Sequence, residues 1–234
     1  EDWLRMTRKF KSTLGLALMP MVQLYLRHFP FRAFKALLWK HFSWRENVYR
    51  TRTAFGSLMI GRTTDHVQGY IYYFGVWEPS LTRFIESRLN NQSDRTFVDV
   101  GANVGYFSLL AAKCMPTGRV VSVEAFPSIY GRLLENIKVN NYKNIRAVNC
   151  AATEEKCSVS MFHAGDENEG ATTSVAGKFQ STPIRVDGYP LTEILTDSEV
   201  ATVRLVKIDV EGAEYSVLKG LYSLLPKFPK DVEV

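Results

Sequence analysis

The stretch from Thr96 to Ser108, TFVDVGANVGYFS, constrains this chain most. It reads as a buried strand that closes on an acid, passes through two glycines and opens a helix. Glycines at such a turn let the backbone approach a ligand where a Cβ would clash, and an acid at the carboxyl end of a strand can hold a polar group. The spacing is G-x-x-x-G between Gly101 and Gly105, not the G-x-G-x-x-G that cradles a dinucleotide pyrophosphate, so a nicotinamide-dependent oxidoreductase fits poorly. A second β run, Arg119 to Glu124, also ends in an acid, at about the offset where such folds hold a ribose diol.

The surrounding pattern extends this unit. Val67 to Tyr73, rich in β-branched and aromatic residues, reads as a strand, and Gly75 to Pro79 as a turn into a helix from Ser80 to Leu89. Strand 96–100, helix 106–115, strand 119–124, helix 128–140 and strand 145–150 make a βαβαβ half. Ser158 to Phe162 and Thr182 to Val186 then predict an inserted hairpin or flap over about 158–187, around a polar loop from Gly165 to Gly177. Parallel order resumes with strand 203–209 and helix 213–225, and 232–234 opens one more strand. At 234 residues, the chain can bury a substantial core without staples.

Charge is unevenly spread. Residues 1–50 hold ten Lys or Arg against Glu1, Asp2 and Glu46, a net of +7, whereas the whole chain is only +5. Leu14 to Leu26 is apolar but interrupted by Gly15, Pro20 and Gln23, and is too short to span a bilayer. Residues 1–70 therefore read as a basic, aromatic-rich helical extension. It could pack as a cap on the rest of the chain, or lie through residues 1–45 in an anionic lipid interface. Nucleic acid is not expected as a partner, because no recognised binding motif accompanies the charge. Cys114, Cys150 and Cys157 are odd in number without metal spacing, which points to a reducing, cytoplasmic setting, peripheral to membrane if the arm is interfacial. The chain does not start on Met, so sequence is expected before Glu1.

Four segments, FGVWEPSLTRFI, FVDVGANVGYFSLLAA, VEAFPSIYGRLLENIKVNN and VKIDVEGAEYSVLKG, together resemble the FkbM type of class I S-adenosylmethionine-dependent methyltransferases. The resemblance runs from about Tyr72 to the C-terminus. It implies an α/β, Rossmann-like, doubly wound and mostly parallel sheet over 71–234, of order 3-2-1-4-5-7-6. The sequence stops as strand five opens, so the C-terminal strands six and seven are expected to be missing from it.

For the cofactor, the resemblance implies that Asp99, Gly101, Asn103 and Gly105 form the pocket for the amino-acid end of S-adenosylmethionine. Glu124 would accept from both ribose hydroxyls. Phe126 could flank the adenine or merely anchor the turn at Pro127. Ala151 and Ala152 would leave room beside the adenine. Glu78 could reach the cofactor's ammonium or charge the start of a helix. Asp209 is expected near the methionine end or the acceptor. Glu211 could orient or deprotonate a hydroxyl, or with Glu214 simply favour a helix N-terminus. His163, at the end of the strand before the flap, is the best-placed histidine for a base, with Asn168, Thr173 and Ser174 nearby in sequence for an acceptor hydroxyl. No metal is expected, since no His or Asn completes a set with Asp209, Glu211 and Glu214.

The cofactor residues together with the resemblance point to methyl transfer from S-adenosylmethionine, and the resemblance alone implies the acceptor, an oxygen of a sugar, polyketide or related secondary metabolite, a small molecule or glycan. Association into a homo-oligomer would cover an open sheet edge. The rival reading is a non-catalytic cofactor-binding module that docks to a membrane surface through its basic arm.

Overall fold

The computed structural model describes residues 2–28, 32–42, 46–163, 172–173, 183–210 and 212–234. The chain divides into two compact units, Glu1–Trp77 and Glu78–Val234.

The first unit opens with α1 (Asp2–His28) and α2 (Arg32–Phe42), followed by an antiparallel hairpin of β1 (Val48–Arg52) and β2 (Leu58–Arg62) and by α3 (His66–Phe74). Strand β1 alternates exposed and buried residues, as one covered face requires. Met19, Val22 and Leu26 of α1 pack with Phe42, Tyr49, Tyr72 and Tyr73 as the unit's core. The Arg27 guanidinium ties it together, donating to the carbonyls of Arg52, Ile71 and Tyr72 and to the Thr51 hydroxyl. Its donation to Tyr72 meets a carbonyl in the last turn of α3, and the Ile71 carbonyl shares its lone pairs between Arg27 and the Gly75 N–H.

The segment from Val67 to Tyr73 is helical, not extended as its composition suggests. Asp65 caps the helix by accepting the Gln68 N–H, and Gly75 closes it in the left-handed region at φ 75°. These two stops, with Gln68, Gly69, Ile71, Tyr72 and Tyr73 buried, override a weak strand propensity. The hairpin β1–β2 also shows that the N-terminal unit is not helical throughout.

The second unit starts at α4 (Pro79–Leu89) and runs through β3 (Thr96–Val100), α5 (Tyr106–Cys114), β4 (Arg119–Val123), α6 (Pro127–Asn140) and β5 (Ile145–Val148). After the short β6 (Ala151–Ala152) come β7 (Cys157–His163), β8 (Thr172–Thr173) and β9 (Ile184–Tyr189). Helices α7 (Leu191–Ile194) and α8 (Asp197–Val200), strand β10 (Val203–Ile208) and helix α9 (Glu214–Tyr222) complete it.

The main sheet is parallel, in the order β10-β3-β4-β5. This is the 4-1-2-3 portion of the doubly wound Rossmann-like sheet, and a parallel bridge from Leu205 to Glu233 begins a further strand at its outer edge. Every residue of β3 is buried, as a strand covered on both faces demands. The core joins Val98, Val100, Val121, Val123 and Val206 of the sheet to Val217 and Leu221 of α9 and Leu191 and Leu195 around α7.

The expected flap is a second sheet, β6-β9-β7-β8, in which β7 and β9 pair antiparallel from Cys157↔Gly188 to Met161↔Ile184. Strand β6 runs parallel to β9, which carries the hairpin alongside the carboxyl end of the main sheet. Most of the polar loop, with Asn168 and Ser174, lies outside the described residues.

Candidate active site

The carboxyl ends of β3, β4 and β10 open onto a cavity of about 490 Å³. That is within the range of roughly 300–1,000 Å³ typical of small-molecule sites, and it lies where open α/β sheets bind ligands. Gly101, Asn103, Glu124, Ala152 and Asp209 line it, while Val159 and Met161 of β7 supply an apolar wall from the hairpin.

The turn after β3 is built by two left-handed residues, Gly101 at φ 75° and Asn103 at φ 51°. A Cβ on Gly101 would collide with the Asp209 carbonyl, so only glycine lets the β3 turn and the end of β10 come together. Asn103 holds its own bend by accepting the Val104 N–H on its side-chain oxygen. Its backbone N–H, in turn, donates to Glu124 Oε2 at 2.8 Å.

Glu124 is buried, and its second oxygen accepts the Phe126 N–H at 2.9 Å. Burial raises its pKa, and the two backbone donors offset part of that rise. Two backbone N–H groups thus fix a carboxylate on the cavity wall, and each oxygen keeps acceptor capacity for a hydroxyl.

Four sequence-derived candidates stand elsewhere. Asp99 is fully buried and is not part of the cavity wall. Its Oδ2 accepts the Ser108 hydroxyl at 2.6 Å, Ser108 in turn accepts from Ser122, and Lys207 Nζ lies 3.2 Å from Oδ1. Gly105, at φ 92°, faces α6, where a Cβ would meet Leu133 Cδ1 at 2.6 Å. Its missing Cβ allows close packing of α6 on the turn. The Phe126 ring is buried off the cavity wall and anchors the start of α6.

Glu78 lines a second cavity, of about 630 Å³, between α4 and the outer edge of β10. It precedes α4 in a left-handed conformation at φ 41° and makes no side-chain cap. Burial and then the Asp209 charge raise its pKa, with Lys207 opposing. Asp209 lines both cavities.

Lys207 carried no role in the sequence reading, yet it links the site. Its ammonium lies 3.2 Å from Asp99 Oδ1, 3.5 Å from Asp209 Oδ2 and 3.3 Å from the Gly101 carbonyl. Burial alone would lower its pKa, but the two carboxylates outweigh that and raise it. Period-two alternation in the sequence sets it on the same face as Asp209 but does not name Asp99 as its partner on the next strand. Cys150, at the edge of the cavity, also went unassigned; burial pushes its thiol up to about 11, so it stays protonated and inert. Glu211 lies outside the described residues, and only the backbone of His163 is described, paired with Thr172 at the end of β7. Among the described residues no group of three or more His, Cys, Asp or Glu could hold a metal ion.

The description "Methyltransferase FkbM domain" matches residues 99–230, more than half of the chain. The chain belongs to the FkbM methyltransferase family. It is 27% identical over 146 residues to Methyltransferase 1 of Beauveria bassiana (strain ARSEF 2860), covering 55% of this chain and 59% of that protein. It is 25% identical over 163 residues to Methyltransferase sdnD of Sordaria araneosa, covering 56% and 62%. The chain thus spans about three-fifths of the length of these curated relatives. Among solved structures, M. jannaschii TYW2 in complex with AdoMet overlaps 44% of this chain and 42% of its own, at 23% identity and a TM-score of 0.33, which adds nothing on function.

S-adenosylmethionine is the cofactor that this family uses, and the residues present fit it. The Glu124 carboxylate, fixed by Asn103 and Phe126, is a ready acceptor for a ribose diol. Gly101 leaves backbone exposed to a ligand in the adjoining turn, and Ala151 and Ala152 keep the wall beyond Glu124 shallow.

Proposed function

We propose that this FkbM family member catalyses S-adenosylmethionine-dependent methylation of a hydroxyl on a sugar, polyketide or related secondary metabolite. The observation that carries the proposal is the joint wall of the cavity. A carboxylate fixed by two backbone N–H groups, Glu124, and a glycine turn, Gly101, face the same space as the exposed Asp209.

The cofactor supplies an electrophilic methyl on a sulfonium. In this reading Glu124 and the Gly101–Asn103 turn orient it, and Val159 and Met161 keep water from one side. The Asp209 carboxylate, held by Lys207, accepts a hydrogen bond from the acceptor hydroxyl and sets its oxygen in line with the methyl. Glu211 or His163 would take the proton as negative charge leaves the hydroxyl. Asp209 borders both cavities, which favours an acceptor entering from the side of α4, where Glu78 offers a second polar contact.

The test is transfer of label from methyl-labelled S-adenosylmethionine to a panel of sugars and polyketide alcohols. Products methylated on oxygen support the proposal. Methylation confined to nitrogen, sulfur or carbon acceptors would overturn it.

A further inference from the structure

We infer that helices α1 and α2 form a docking surface for an anionic membrane. Met19, Val22 and Leu26 bury one face of α1, and the opposite face is apolar rather than charged, with Met21 68% and Leu24 59% exposed. Leu16 and Leu18 flank that row, each more than a third exposed. No charged residue occurs between Lys11 and Arg27. Helix α2 repeats the arrangement, with Phe34 61% and Leu37 64% exposed one turn apart. Single exposed apolar residues are ordinary, but rows of them on two successive helices mark an interaction surface.

Charge selects the occupant. Between Asp2 and Glu46 the sequence holds nine Lys or Arg and no acid. The first unit carries +8 (twelve basic against four acidic residues) and the second −3 (seventeen against twenty). Apolar rows flanked by basic residues match an interface where anionic headgroups lie above hydrocarbon. A nucleic acid would use the charge and leave the Leu, Met and Phe rows unexplained. No described helix is long and apolar enough to cross a membrane, and Pro20 interrupts α1, so the surface lies along the bilayer instead of through it. The inference is independent of the methyl-transfer reading.

The experiment is flotation of the whole chain with vesicles of phosphatidylcholine alone or mixed with phosphatidylserine, beside the variant M21E/L24E/F34E. All three side chains are exposed, so folding should survive, which circular dichroism checks. The wild type should float with the anionic vesicles and far less with the neutral ones. The variant should lose affinity on the order of a hundredfold. Its affinity for S-adenosylhomocysteine should match the wild type, separating this claim from the cofactor site. Equal flotation of wild type and variant, or binding that follows charge alone, would overturn the inference. So would a wild-type dimer that the substitutions dissociate in the absence of lipid, which would assign the face to a second copy.

Discussion

Lys207 and Asp99 are register partners on adjacent parallel strands, and their side chains form an ion pair of 3.2 Å between β10 and β3. The pair continues to Ser108 and Ser122 on one side and Asp209 on the other. A polar chain therefore crosses behind the Gly101–Asn103 turn and ends at Asp209, which lines both cavities.

Replacing Lys207 with Met should destabilise the chain by about 3 kcal/mol, since it strands the fully buried Asp99 carboxylate. Urea denaturation at neutral pH measures this. The raised Lys207 pKa means its stabilisation is complete below the ordinary lysine value of about 10.4 and fades as pH climbs through the higher folded value. The Met variant should lack that alkaline loss.

Glu124→Ala should cost on the order of 1.5–3 kcal/mol of S-adenosylhomocysteine binding, the worth of hydrogen bonds to a charged acceptor. It should also lower stability, because the N–H groups of Asn103 and Phe126 lose their acceptor. Calorimetric titration and a urea midpoint separate the two effects. Unchanged affinity in a folded variant would remove Glu124 from the cofactor site.

Gly101→Ala should destabilise by about 3 kcal/mol, combining a left-handed backbone with a collision against the Asp209 carbonyl. Gly105→Ala carries the same left-handed strain but meets only the tip of the Leu133 side chain, which can move, so its cost should be smaller and cofactor affinity should change less. Equal loss of binding in both variants would contradict the distinction between ligand turn and packing position.

Glu199 tests the scaffold away from the site. It accepts from Arg146 at 2.6 and 2.8 Å and completes a capping box with Thr196. Burial works to raise its pKa, yet Arg146 and the Thr196 N–H outweigh it and hold it below the usual value. Its stabilisation is thus present above about pH 4.5 and lost as pH falls through the lower folded value. Arg146 is 42% exposed, so solvent screens the pair and Glu199→Gln should cost only about 1–2 kcal/mol. The difference between wild type and variant should shrink in acid melts.

Asp209→Asn should leave S-adenosylhomocysteine affinity within a few-fold while slowing methyl transfer on the order of a hundredfold or more, if Asp209 orients the acceptor. Single-turnover rates read this directly. An unchanged rate would move that role to another group.

The parallel core was legible because β3, β4 and β10 are short apolar runs whose ends carry Asp99, Glu124 and Asp209. Their order in the sheet came from the family resemblance, since apolar runs alone do not say which strand pairs with which. The helix at Val67–Tyr73 was not legible, because Asp65 and Gly75 act as stops only once Tyr72 and Tyr73 find a core to enter. The packing partners of Asp99 and Gly105 were not legible for a related reason. Residues at a strand end or turn look alike in sequence whether they face a ligand, a lysine on the next strand or a leucine on the next helix. Lys207 was hidden in the same way, since a charged residue one alternation before Asp209 gains meaning only from the register that sets it against Asp99.

The most direct test of the account is calorimetric titration of the chain with S-adenosylhomocysteine, with NADH as control. The account predicts saturable one-to-one binding of S-adenosylhomocysteine in the micromolar range and none of NADH. A folded chain that gives no heat with S-adenosylhomocysteine, or that binds NADH equally well, would contradict the assignment of the cavity at Gly101 and Glu124.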